Sequence, residues 1–205
     1  MDRTAEGLPE SGRSGKLVTL PNVLSVIRIA LTPVFLALIF ADGLVWKHVA
    51  LFVFAVASLT DFDGWIARRQ GTVTEMGRFL DPLADKILVS SALISFILLG
   101  MVDAWLVVVL LVRDFVITAL RIYGIRRGKP VVTSRLAKWK TALQHVLIFG
   151  ILVFISTRVV EAQWSAQPLV LVDASSHLVL NGLVGAVTLL ALVSGVKYFW
   201  DHNRG

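Results

Sequence analysis

Four aspartates, Asp61, Asp63, Asp81 and Asp85, fall within one stretch, SLTDFDGWIARRQGTVTEMGRFLDPLADKILV (58–89). Long apolar runs flank that stretch on both sides. Asp81 and Asp85 are four apart, which stacks them on one face of a helix. Carboxylates gathered from two helices make a hard, oxygen-rich site. Mg2+ or Mn2+ takes such ligands, often together with the phosphates of a substrate. Asp81 alone has a plainer reading, as a helix N-cap with Pro82 at the first helical position. That reading leaves Asp85 and the two earlier acids without a use. Gly64 and Ala67 suit either close helix packing or the room a bulky ligand needs. Arg68 suits either an anchor at a membrane edge or a fork on a phosphate. Gly77 suits a turn.

The elements that must position these residues are helical. Of 205 residues, 56% are hydrophobic, and the mean hydropathy is +0.77. Both point to a polytopic membrane protein. Apolar runs near the bilayer-spanning length of about 20 residues recur along the chain. Six are read: residues 23–41, 48–67, 86–100, 105–125, 141–160 and 178–200. The third is short, and spans only if Pro82–Asp85 form its first turn. The fold expected is all-α, with six transmembrane helices in one bundle over residues 19–205. A polar, Gly- and Ser-rich leader, 1–18, reads as disordered. The chain has no cysteine, so thiolate chemistry is excluded.

Charge orients the bundle. Basic residues gather in the leader, in the connection between spans two and three (Arg68, Arg69, Arg78), in the connection between spans four and five (Arg126 to Lys140), and at the C-terminus. The other three connections carry few. The positive-inside rule then puts both termini, and the acidic stretch, on the cytoplasmic side of the cell membrane. The net charge of +6 suits anionic headgroups. No soluble module for nucleic acid is present. Further cations suit an anionic ligand: Arg113 and Arg121, eight apart on one helix face, and Lys138 and Lys140 just before span five. The lysines serve equally as membrane-edge anchors. Adjacent residues of a helix do not face each other, so an Arg113–Asp114 pair is not expected. His145 and His177 have no ligand-like partners and read as structural.

Taken together, Asp63-Gly64-x-x-Ala67-Arg68, eight residues, Gly77, three residues, Asp81, three residues, Asp85 resembles the signature D-x-x-D-G-x-x-A-R-x(8)-G-x-x-x-D-x-x-x-D of the CDP-alcohol phosphatidyltransferases. The likeness extends over LPNVLSVIRIALTPVF (20–35), LVRDFVITALRIYGIRRGK (111–129) and KWKTALQ (138–144). These segments are most similar to family members that take sn-glycerol 3-phosphate as acceptor. The resemblance implies two divalent cations, Mg2+ or Mn2+, held by Asp61, Asp63, Asp81 and Asp85. It implies a nucleotide pocket at Gly64, Ala67, Arg68 and Gly77, Asp85 as general base, and CDP-diacylglycerol as donor, with its tails in the bilayer. Arg113, Arg121, Lys138 and Lys140 would receive the acceptor phosphate. Members are commonly homodimers. Acceptors such as inositol phosphate, serine or phosphatidylglycerol remain open within the family, and a small transporter is the reading from another class.

The chain departs from the signature once. Three residues before Asp63 stands Thr60, not an acid, and Asp61 is only two away. On a regular helix residues three apart differ by about 60° around the axis, and residues two apart by about 160°. Three accounts follow. The helix tightens locally, as a 3₁₀ turn would allow, and Asp61 still reaches a metal. Thr60 serves as a weak neutral ligand. Or the site is impaired and the chain is weakly active.

Overall fold

A computed structural model describes residues 20–69, 75–126, 135–165 and 168–202. Among these every regular element is an α-helix: α1 (Leu20–Phe40), α2 (Leu44–Arg69), α3 (Glu75–Leu98), α4 (Ala104–Arg126), α5 (Arg135–Ser165) and α6 (Ala174–His202). The expected leader lies outside the described residues. One helix stands on each apolar run, but the ends differ. The third starts at Glu75 rather than at Pro82, so Pro82 lies inside α3 and Asp81 is not its N-cap. An interior proline forfeits one i→i−4 hydrogen bond. Membrane helices tolerate that because neighbouring groups satisfy the freed carbonyl, and α1 carries a second case, Pro33.

The helix contacts close into a ring in the order α1, α2, α5, α6, α4, α3 and back to α1, with α3 also touching α5 across the middle. Successive helices α2 and α3 meet only lightly, while α1 packs closely against both. Phe35 of α1 and Phe54 of α2 fill that seam, with ring centroids 5.8 Å apart. Leu88, Phe96, Leu110, Ile148, Ile151 and Val184 fill the centre.

The distribution of polarity is that of a membrane protein. Large apolar side chains lie exposed on every helix, among them Val26, Phe52, Leu98, Val112, Val146 and Leu189, while Arg28, Asp114, Lys140 and Gln144 are buried. A water-soluble bundle would bury the first group and expose the second. Three of the helices carry segments long and apolar enough to cross a bilayer, Asn22–Phe40, Trp139–Ser165 and Ala174–Val196. Among the described residues α2 adds a shorter apolar segment, Leu44–Thr60.

The turns at the far end are built locally. Gly100, at φ +68°, ends α3 in a Schellman motif: its amide donates to the Ile97 carbonyl and that of Met101 to the Phe96 carbonyl, both at 2.9 Å. Asp173 caps α6, accepting the Ser176 amide at 2.7 Å and the Ser175 hydroxyl at 2.8 Å. Its other oxygen accepts from Arg158 of α5 at 2.9 Å. The bonds from Ser176, then Ser175 and Arg158, hold the Asp173 carboxyl well below the usual carboxylate range.

Two outcomes are expected. No atom lies within 4 Å of a Cβ added at Gly100, so Gly100→Ala meets only the left-handed backbone penalty, about 1–2 kcal/mol, read as a lower melting temperature in detergent. A depressed carboxylate pKa stabilises above the unfolded value and loses that contribution as pH falls. The melting-temperature advantage of the native chain over Asp173→Asn is therefore constant above about pH 5 and shrinks below about pH 4.

Candidate active site

The two acids on α3 stand at the bundle end where α1, α3 and α5 begin and α2, α4 and α6 finish. Asp81 accepts a hydrogen bond from Ser25 of α1. Ser25 belongs to a buried polar stripe, Asn22, Ser25, Arg28 and Thr32, running along α1. From that stripe Arg28 crosses to α2. Its Nε donates to the Ala57 carbonyl at 3.1 Å and its Nη2 to Thr60 Oγ1 at 3.3 Å. α1 is thus the gauge that sets α2 against α3.

Asp85, one turn after Asp81, accepts from two directions. His145 Nε2 of α5 lies 3.3 Å from Oδ1, and Lys86 Nζ lies 3.1 Å from Oδ2. The other ring nitrogen of His145 lies 2.9 Å from the Thr141 carbonyl, so each ring nitrogen faces an oxygen acceptor. Lys86 also lies 3.7 Å from Asp114 Oδ2 of α4. Asp114 is the centre of the network. Lys140 of α5 donates to both its oxygens and to Gln144 Oε1. Arg113 Nη1 donates to Asp114 Oδ1 at 3.0 Å, and Arg113 Nη2 to Ser194 Oγ of α6 at 2.6 Å. Gly195 makes room for that guanidinium, because a Cβ there would stand 3.3 Å from Arg113 Nε.

Of the residues expected from sequence, Asp81, Asp85, Arg113 and Lys140 come to this one end. Asp61, Asp63, Gly64, Ala67 and Arg68 sit on the last turns of α2, Gly77 on the first turn of α3, Arg121 on α4 and Lys138 on α5; their side chains lie outside the described residues. Two sequence readings are corrected. Arg113 does pair with Asp114, because the long arginine side chain curls back over the 100° that separates neighbours on a helix. His145 does have a partner, Asp85. Ser25, Arg28, Lys86, Asp114, Gln144, Ser194 and Gly195 were not singled out from sequence. For α1 a signal exists, since polar residues at 22, 25, 28 and 32 repeat at helical spacing in an apolar helix.

The backbone bears on the short aspartate spacing. α2 is α-helical, without a 3₁₀ turn, through Thr60–Asp63. Positions 61 and 63 therefore stay about 160° apart. Thr60 faces α1, where its hydroxyl donates to the Ala57 carbonyl at 2.7 Å and accepts from Arg28. Asp81 and Asp85 fit a hard divalent cation by their chemistry, since both are carboxylates of a partly open polar end. Among the described residues alone, no cluster of three or more acidic, His or Cys side chains forms.

The family model for CDP-alcohol phosphatidyltransferase matches residues 18–194. The chain belongs to the CDP-alcohol phosphatidyltransferase family. It is 36% identical over 197 residues to a Mycobacterium tuberculosis (strain H37Rv) protein named probable phosphatidylglycerophosphate synthase, covering 93% of this chain and 86% of that one. It is 37% identical over 149 residues to the CDP-diacylglycerol–glycerol-3-phosphate 3-phosphatidyltransferase of Bacillus subtilis (strain 168), covering 66% and 77%. It is 33% identical over 186 residues to the protein of that same name from Rickettsia bellii, covering 88% and 93%. As a family member the chain is a membrane phosphatidyltransferase, and the family is generally dependent on divalent cations.

Ser25→Ala removes a hydrogen bond to the Asp81 carboxylate. A bond of that charge-assisted kind contributes about 1.5–3 kcal/mol, so the expected result is a lower melting temperature in detergent, measurable without substrate.

Proposed function

We propose that the chain transfers the phosphatidyl group of CDP-diacylglycerol to sn-glycerol 3-phosphate, releasing CMP. The observation that carries this reading is the convergence of Asp81 and Asp85 with the cations Lys86, Arg113 and Lys140 at one end of a membrane bundle whose relatives are named for that reaction. Acids suit the cation-bound pyrophosphate of the donor, and a cationic row suits the phosphate of the acceptor.

Asp63, Asp81 and Asp85, with Asp61 or Thr60 as the fourth position, would hold two Mg2+ or Mn2+ ions. Such ions, when bound, neutralise phosphate charge and stabilise the leaving oxygen. The protein's own residues do the rest. Gly64, Ala67, Arg68 and Gly77 form the cytidine nucleotide pocket. Arg113, Arg121 and Lys138 receive the acceptor phosphate. Lys140 backs them from inside. Asp85 takes the proton of the acceptor hydroxyl as its oxygen bonds to the β-phosphorus and the bond from phosphorus to the CMP oxygen breaks. Lys86 and His145 hold the two Asp85 oxygens and so fix the direction in which it accepts. All six helices cross the membrane, with both termini and the site on the cytoplasmic side, where the basic residues gather. The acids sit beside lipid because one substrate is a lipid whose reactive phosphate lies at the interface.

The test is CMP release by the purified chain in detergent, with CDP-diacylglycerol and each acceptor, with and without chelator. Glycerol 3-phosphate is expected to be used and chelation to abolish release. Asp85→Asn is expected to lower kcat by roughly 10²–10⁴, the range of general acid–base contributions. A variant with one Phe inserted between Phe62 and Asp63 restores the three-residue spacing. Faster turnover by that variant identifies the short spacing as a handicap, and equal turnover shows that Asp61 or Thr60 suffices. CMP release without any acceptor preference, or none at all in either chain, would sink the reading.

A further inference from the structure

The buried end of the cationic row behaves differently from its rim. Lys140 and Asp114 are each only 1% exposed at the side chain, whereas Lys86, Arg113 and Asp85 are 12–15% exposed. The Lys140 ammonium has three protons and three acceptors, both Asp114 oxygens and Gln144 Oε1. It is saturated, so an arriving phosphate has nothing to gain from it. Arg113 spends two of its N–H groups on Asp114 and Ser194, and the guanidinium has five. Lys86 and Arg113 are the less buried cations of the row, and Asp114 contacts both.

We propose that Asp114 is a positioning residue for the acceptor site. Its carboxylate, clamped from within by Lys140, sets where the Lys86 ammonium and the Arg113 guanidinium stand. In a low-dielectric interior a cation goes to its nearest counter-ion. Without Asp114, Lys86 would lose the carboxylate that draws it away from Asp85. With Asp114, Lys86 is shared between two carboxylates at 3.1 and 3.7 Å. Lys86 is thereby drawn toward the Arg113 side of the site as well as toward Asp85. Arg113 is held on its other side by Ser194, in the notch left by Gly195. Lys140 thus acts through Asp114 rather than by touching substrate. The inference rests on the acceptor being an alcohol phosphate, as proposed above.

The experiment uses the full chain in detergent and two variants. Asp114→Asn with Lys140→Met removes the buried pair as a neutral unit, a change that buried ion pairs often tolerate because no lone charge is left behind. Asp114→Glu keeps the charge and moves the carboxylate by one methylene. Each is read for melting temperature, for KM of each substrate, and for the rise in melting temperature that glycerol 3-phosphate gives without turnover. The expected result is a variant that melts close to the native chain, with KM for glycerol 3-phosphate raised about tenfold or more and KM for CDP-diacylglycerol within about twofold. The acceptor-induced rise should be lost in step. A folded variant with both KM values native, or both raised equally, overturns the proposal. Loss of the fold in both variants overturns it too, because the pair would then have no positioning role separable from folding. If the native chain uses another acceptor, the reading of glycerol 3-phosphate fails on its own. The same KM comparison with the acceptor actually used then decides the role of Asp114.

Discussion

A carboxylate and an ammonium sealed together inside a membrane bundle set the terms for the rest of this protein. Either charge alone would cost several kcal/mol to bury. Together, with Gln144 completing the ammonium's partners, Asp114 and Lys140 form a fixed side-chain bridge between α4 and α5, which are not neighbours in the ring. From it the network reaches α3 through Lys86 and α6 through Arg113 and Ser194. Four helices that share mostly aliphatic contacts are thereby registered at one height. Aliphatic packing alone resists sliding weakly, because one leucine layer resembles the next. A directed ion pair has a single geometry.

On the other flank α1 does the equivalent work with less charge. Ser25 meets Asp81 and Arg28 meets the end of α2. The signature of the family is thus split between α2 and α3, which touch little, and α1 is the common surface against which both are set. Thr60 falls on that surface. The place where the family signature wants an acid is here turned toward an arginine, and the acid has moved to the next position along an unbroken α-helix.

Much of this was legible in the sequence, and the remainder was not for identifiable reasons. Six helices follow from six apolar runs, because length and hydropathy act locally. The meeting of Asp81 and Asp85 at one end follows from a four-residue spacing. The start of α3 was misplaced because Pro82 satisfies the rule for a first helical position, and only neighbouring helices make an interior proline acceptable. The partner of Asp85 could not be read, since His145 lies two helices further along and nothing local marks it. The Arg113–Asp114 pair was rejected on backbone angles, which ignore how far an arginine reaches. Lys140 read equally as a phosphate-binding cation and as a membrane-edge anchor, because it sits near Lys138 and Arg135, and only the packing of α5 shows that it points inward.

The order of the helices along the chain also has a consequence in time. Lys140 follows Asp114 by 26 residues, and Ser194 follows Arg113 by 81. At a synthesis rate of about 5–20 residues per second, Asp114 waits roughly one to five seconds for its ammonium, and Arg113 roughly four to sixteen for its serine. During that interval Asp114 stands with Lys86 and Arg113, while the Lys140 ammonium that clamps it is still inside the ribosome. α4 therefore carries a carboxylate whose closest ammonium arrives only with α5. Arg113 gains its second anchor only when α6 follows.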